Sequence, residues 1–336
     1  RKLESDPNTT LHAILALNPK VIEQAKAKDR QKNTQQHLIF GMPILLKDNI
    51  NTQDMPTTAG AAFLQSHVPY NDAYIVSQLQ AKGALILGKV NLSEWAYYFC
   101  DGCPLGYSAV GGQTLNPYGR KVFESGGSSS GSGVAVAANY AVAAIGSETS
   151  GSILSPSGHN AVVGCKPTIG LVSRTGIVPI SSTLDTAGPM TKNVIDNAIL
   201  LNAMQGKDAS DPSTTKAPDQ IGDYIVASQN RSISAYRLGA IKSLVKTDSL
   251  YRKAISTLRS NGATVVEFDH PNIEFEGFLS LLNKEMKNDL PNYCSTQSNQ
   301  NFADDNVQSV VTFSQQDSLQ RMPYGQSRLM SVIEED

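Results

Sequence analysis

Between Glu124 and Gly158 the chain reads ESGGSSSGSGVAVAANYAVAAIGSETSGSILSPSG. Two Ser/Gly-rich clusters enclose the apolar run VAVAANYAVAAIG, and this arrangement restricts the fold more than any other segment. A Ser/Gly tract by itself forms a flexible linker. The enclosed run is apolar, helix-compatible and too long to leave in water, so the linker reading fails. The expectation is a buried helix with a polar turn at either end.

Three chemistries can be read into those turns. Gly-rich turns before helix N-termini bind anions through free N–H groups, but neither G-x-x-x-x-G-K-[ST] nor G-x-G-x-x-G occurs here. GSSSG, Gly127 to Gly131, matches the nucleophile elbow G-x-S-x-G with Ser129 at its centre. The elbow needs an apolar strand before it, and NPYGRKVFES is a poor one; Asp185 and His270 would have to complete that triad. The third possibility is a serine activated by a lysine. A serine hydroxyl needs a base, and lysine can serve when burial holds its amine neutral. Lys47 closes the apolar run Ile44-Leu45-Leu46, where desolvation would lower its pKa, although spacing alone favours a strand-end lysine facing water.

The remainder of the 336 residues reads as α/β. GMPILLKDNI reads as a short buried strand ending in polar residues and GALILGK as a buried parallel strand, with YIVSQLQAKG a helix and glycine stop ahead of the second. Residues 10 to 32 have helical periodicity broken at Pro19, and LSEWA is expected to open a helix near Asn91 or Ser93. NVIDNAILLNAMQG reads as a helix, 207 to 222 as a polar boundary, YRLGAI and GATVVEFD as strands around the helix DSLYRKAISTLRSNG, 290 to 308 as irregular, and the last stretch as helical. Alternating strand and helix predicts a mixed sheet covered by helices on both faces.

Charged residues are 17% and the net charge is −2, which argues against nucleic acid or an anionic membrane as partner. No apolar run reaches the length of a membrane span. Cys100 and Cys103 form a lone C-x-x-C with no second pair, so ordinary thiols or a local disulfide are favoured over a metal site. Sequons begin at Asn8, Asn91 and Asn230 and matter only if the protein is secreted. The compartment stays open: cytoplasmic, periplasmic and secreted forms would look alike.

In combination, GMPILLKDNI, LSEWA, GGQTLNPY, GGSSSGSGVAVAAN, GSETSGSI, GCKPTIGLVSRTGIVPIS and DTAGPM resemble the amidase signature enzymes, hydrolases with a Ser–cis-Ser–Lys triad. The segments keep the family's order across residues 41 to 190, and GSETSGSI with VSRTGIVPIS is most similar to the peptide amidase branch. The resemblance implies one amidase signature domain over 1–336, less similar over 207–336 and incomplete at its C-terminus. It implies Lys47 as base, Ser128 as cis-serine and Ser152 as nucleophile. It also implies the N–H groups of Thr149, Ser150, Gly151 and Ser152 as oxyanion hole, with Ser130, Ser147 and Asp185 in support. Many members carry Arg where Leu154 stands, paired with the acid at Asp185; here Asp185 would turn to backbone N–H groups or to Lys192. Ser150 replaces a glycine common in the family. The expected activity is amide hydrolysis of a small or peptide amide by a monomer or homodimer, with no metal or cofactor. The alternatives are the amidase subunit of a tRNA amidotransferase and a non-catalytic ligand-binding relative.

Overall fold

The computed structural model describes residues 2–31, 37–216, 222–229, 232–298, 300–302 and 304–336. The chain divides into two compact units, Arg1–Tyr224 with Leu279–Asp336, and Ile225–Phe278.

The first unit is built on a six-stranded mixed sheet. Its strands are β1 (Ile14–Leu17), β2 (Pro43–Lys47), β3 (Leu85–Val90), β4 (Ala143–Glu148), β5 (Val163–Gly164) and β6 (Thr186–Thr191), in the order β1-β3-β2-β4-β6-β5. β2 runs parallel to β3 and β4; β1, β5 and β6 pair antiparallel to their neighbours. The central strands are apolar on both faces because both faces are covered. Ile44 and Leu46 of β2, with Ile145 of β4, share one core with Ile75, Val76 and Leu79 of a helix at Tyr74–Ala81 and with Leu200 and Leu201 of a helix at Val194–Met204. Leu45 and Ala144 face the other way, onto Ala135 and Val136 of a helix at Ser130–Ala137. The period-2 alternation of a strand thus separates two cores. Leu45 is fully buried, and Leu45→Ala is expected to cost about 2–5 kcal/mol.

In chain order the helices that matter are α1 (Val21–Asp29), α2 (Tyr74–Ala81), α3 (Ser130–Ala137), α4 (Leu154–His159) and α5 (Val194–Met204). In the second unit β7 (Arg237–Ile241) and β8 (Thr264–Phe268) lie parallel in register, joined through α6 (Ser249–Ser260). Asp248 caps α6 by accepting from Leu250 and Tyr251 N–H.

Four expectations are corrected. The apolar run inside the Ser/Gly region is not one helix. α3 ends at Ala137, Asn139 turns the chain at φ 61°, Tyr140 N–H closes back on Ala135 O, and AAIGSE becomes β4. Asparagine tolerates this left-handed geometry better than most residues, which makes it a stop signal inside an otherwise helical pattern. Residues 14–17 are a strand rather than the first part of a helix, because they pair with the edge of β3. The segment after Ser93 forms only a 3-10 turn, with Trp95 and Ala96 at φ 52° and 54°. Residues 290–297 belong to α7 (Phe278–Gln297), which carries Pro291 in its interior. No helix among the described residues is long and apolar enough to cross a membrane.

Candidate active site

Lys47 is the last residue of β2 and is completely buried. Its Nζ stands 2.7 Å from Ser128 Oγ, 3.1 Å from Ser147 O and 2.9 Å from Ser147 Oγ. None of these partners is a carboxylate. Burial therefore dominates and pulls the Lys47 pKa down to about 7, against the more distant attraction of Asp185 and Glu148. That brings the free amine, the form that can take a proton from a serine, within reach near neutral pH.

The two Ser/Gly turns meet at this amine. The Gly127–Ser128 peptide is cis, and Ser128 O accepts from Ser93 N–H at 3.0 Å. Ser129 N–H donates to Ser152 O at 3.0 Å, which ties the first turn to the second. Gly126 needs its φ of +66°, and a Cβ there would lie 2.8 Å from Pro156 Cα. Ser152 follows Gly151, whose φ is +83°, while Ser150 has no positive φ; the glycine that geometry demands is the second of the pair, and serine at 150 is unstrained. Ser152 is nearly buried, and its Oγ makes no hydrogen bond among the described contacts.

Glu148 is the organiser that the sequence reading missed. It is 3% exposed and accepts N–H groups from Gly151 at 2.8 Å, Ile153 at 2.6 Å and Leu154 at 3.0 Å. One carboxylate thus folds the Gly151–Leu154 turn that carries Ser152 and satisfies the start of α4. Its signal was the acidic residue four positions before Ser152, which strand periodicity alone does not single out. Of the four N–H groups expected as oxyanion hole, that of Gly151 donates to Glu148, whereas those of Thr149, Ser150 and Ser152 have no acceptor among the described contacts.

The other singled-out residues divide. Ser147 contacts Lys47 through both its carbonyl and its hydroxyl. Ser130 Oγ donates to Gly126 O at 2.7 Å and closes the first turn, a local structural task. Asp185 accepts from Thr149 Oγ1 and from the N–H groups of Ile180 and Ser181 at 2.7 and 2.9 Å; burial pushes its carboxyl up against these bonds. Lys192 is not its partner, since its Nζ donates to Ala137 O at 3.0 Å. Ser129 is fully buried, and its Oγ donates to Ser147 O at 2.9 Å and accepts from Ser147 N–H at 3.2 Å. That hydroxyl is spent on the backbone of β4, so it does not serve as an elbow nucleophile. His270, in the second unit, is exposed, and its Nδ1 lies 2.7 Å from Pro271 O.

Cys100 and Cys103 form a disulfide with Cα atoms 5.6 Å apart. No group of three or more His, Cys, Asp or Glu with metal-binding geometry occurs among the described residues. Asn91 is buried and donates to His12 O and Gly112 O, so its sequon is structural; Asn230 lies outside the described residues. A cleft of ≈ 420 Å³ adjoins the site through Asp185 and is lined also by Arg174, Ser181, Asp289 and Tyr293. In it Arg174 is neutralised by Asp211, at 2.7 and 3.0 Å.

The amidase family model matches residues 2–329. The chain belongs to the amidase family. A probable amidase from Arabidopsis thaliana is 42% identical over 275 residues, 80% of this chain and 53% of the relative. A glutamyl-tRNA(Gln) amidotransferase subunit from Exiguobacterium sp. is 35% identical over 312 residues, 90% of this chain and 63% of the relative. The crystal structure of native peptide amidase from Stenotrophomonas maltophilia superposes with a TM-score of 0.91 at 40% identity, covering 98% of this chain and 69% of that one. The chain spans about half the length of the first curated relatives it matches, 53% and 49%.

Proposed function

We propose that this amidase-family chain hydrolyses amide bonds through Lys47, Ser128 and Ser152. The observation that carries the reading is a fully buried lysine held 2.7 Å from the Ser128 hydroxyl with no carboxylate among its hydrogen-bond partners, where burial pulls its pKa down. Neutral Lys47 takes the Ser128 proton as Ser128 takes that of Ser152, and Ser152 Oγ attacks the amide carbonyl. The developing oxyanion is received by the N–H groups of Thr149, Ser150 and Ser152. The relay then returns the proton to the departing nitrogen, the C–N bond breaks, and ammonia or an amine leaves an acyl-Ser152. Water, deprotonated by the same relay, attacks the acyl group and releases the carboxylate. The relay needs no bound metal or cofactor.

For substrate we propose peptide amides or small carboxamides. Support comes from the likeness to peptide amidase, one structure of which holds the competitive inhibitor chymostatin. The test is ammonia release from C-terminally amidated peptides by wild type and Ser152→Ala. Release that disappears in the variant supports the reading; a wild-type protein that leaves every amide intact overturns it. The second reading, glutamine hydrolysis for a tRNA amidotransferase, is favoured by the 35% identical amidotransferase relative. Against it stands a lower structural likeness to the corresponding Thermotoga maritima protein, TM-score 0.67 at 25% identity. Glutamine-derived ammonia rising on addition of partner proteins and tRNA would decide for it.

A further inference from the structure

Asn49 lies two residues beyond Lys47, is 2% exposed, and is held in place through its backbone, where Val178 N–H donates to Asn49 O at 2.8 Å. Its side chain reaches the reaction centre indirectly. Asn49 Nδ2 donates to Ser147 Oγ at 2.9 Å, and that oxygen is itself 2.9 Å from Lys47 Nζ. The other end of the amide, Asn49 Oδ1, is buried with no hydrogen-bond partner among the described residues. An orphaned buried carbonyl costs about 1–3 kcal/mol, so the fold tolerates a loss while keeping this N–H on Ser147.

The consequence follows from counting donors and lone pairs. Protonated Lys47 has three N–H groups and three oxygens within reach: Ser128 Oγ, Ser147 O and Ser147 Oγ. That is a complete acceptor set for an ammonium ion, which would leave the base protonated and idle. The Asn49 N–H occupies one lone pair of Ser147 Oγ and sets the positive end of a dipole one atom away from Nζ. Two donors then share that hydroxyl oxygen, one on each lone pair; the Asn49 N–H draws electron density from it and leaves it a poorer acceptor for the ammonium. The charged groups that act on the amine are Glu148 at the end of β4 and Asp185 before β6; Asp48, next to Lys47 in sequence, is paired with Lys89 of β3, and α3 begins with Ser130 and Ser132. The two carboxylates that act on Lys47 favour the charged form. Asn49 is a neutral counterweight to them.

We propose that Asn49 is a positioning residue that acts through Ser147 Oγ to keep Lys47 in its unprotonated, base-competent state. This rests on the Lys47–Ser128–Ser152 reading. The experiment measures the rate of fluorophosphonate labelling of Ser152 against pH in wild type, Asn49→Leu, Asn49→Asp, Ser147→Ala and Ser147→Ala/Asn49→Leu. The wild-type rate is expected to rise through pH about 7. Asn49→Leu moves the rise to higher pH, and Asn49→Asp moves it further, by about one unit or more, so that labelling at pH 7 falls about fivefold or more and recovers at pH 9. In the Ser147→Ala background Asn49→Leu moves nothing further. Equal slowing at every pH with an unmoved midpoint, or the same shift with and without the Ser147 hydroxyl, overturns the proposal. A wild-type protein that is never labelled at Ser152 overturns instead the relay on which it rests.

Discussion

Lys47 on β2 and Lys89 on β3 are both completely buried, one residue apart in the register of adjacent strands, and their surroundings differ in kind. Lys89 has a carboxylate: Asp48 lies 3.1 Å away, and Thr57 Oγ1 and Pro56 O accept from Nζ at 2.8 and 3.2 Å. Burial pushes the Lys89 ammonium down and the Asp48 carboxyl up, and their mutual attraction opposes both shifts. Lys47 has two hydroxyls and a carbonyl, and burial takes its pKa to about 7. A buried lysine beside a carboxylate is a structural ion pair. Without one, burial holds the amine close to its neutral form. The difference teaches that the protonation of a buried lysine is set less by the lysine than by the charge withheld from it, and the proposed relay depends on that.

The largest expected effect separates the two residues by what each loses. Lys47→Met should cut kcat/KM by about 10²–10⁴-fold while leaving unfolding stability within about 2 kcal/mol, because an uncharged amine gives way to an apolar chain of similar volume. Lys47→Arg should be as inactive, since guanidinium stays protonated. Lys89→Met should do the reverse. Asp48 is left buried and unpaired at a cost of about 3–5 kcal/mol, read from denaturant unfolding, with activity per folded molecule falling far less. Equal stability losses for Lys47→Met and Lys89→Met would break the comparison.

Next in size is the pH dependence. Wild-type kcat/KM should climb as Lys47 loses its proton near pH 7. The sign for stability follows from linkage. Between pH about 7 and the ordinary 10.5, the unfolded chain binds a proton on this lysine that the folded chain does not. Stability from this group therefore rises with pH through that window and is flat below it. Lys47→Met should remove that slope. Glu148→Gln gives a smaller effect of opposite sense: it withdraws a negative charge that favours the ammonium, so the activity midpoint moves to lower pH. Loosening of the Gly151–Leu154 turn should also lower kcat, by about tenfold. Smallest is Ser129→Ala, which costs about 1–3 kcal/mol for the two bonds to Ser147 and leaves the nucleophile in place. Abolished activity in a folded Ser129→Ala protein would return the elbow to contention.

Much of this was legible in the sequence, for identifiable reasons. ILLK at β2 and LILGKV at β3 read as buried strands because both faces of the sheet are covered, so no polar alternation interrupts them. Lys47, Ser128 and Ser152 came from motif order, and the structure brings the first two to 2.7 Å and ties the third through Ser129 N–H. What was not legible depends on contacts between distant segments. VAVAANYAVAAI has one hydropathy throughout, and only the left-handed turn at Asn139 divides it into helix and strand. Residues 14–17 are a strand because β3 offers an edge, which periodicity along the chain does not register. Glu148 and Asn49 carry ordinary polar side chains at ordinary positions. Their roles follow from which N–H or hydroxyl the fold places within 3.0 Å of them.

The most direct test of the central claim is fluorophosphonate labelling at pH 8, mapped by mass spectrometry, on wild type and Lys47→Ala. The account predicts a label on Ser152 in wild type and none in the folded variant. A label on Ser129, or undiminished labelling of Ser152 without Lys47, would contradict it.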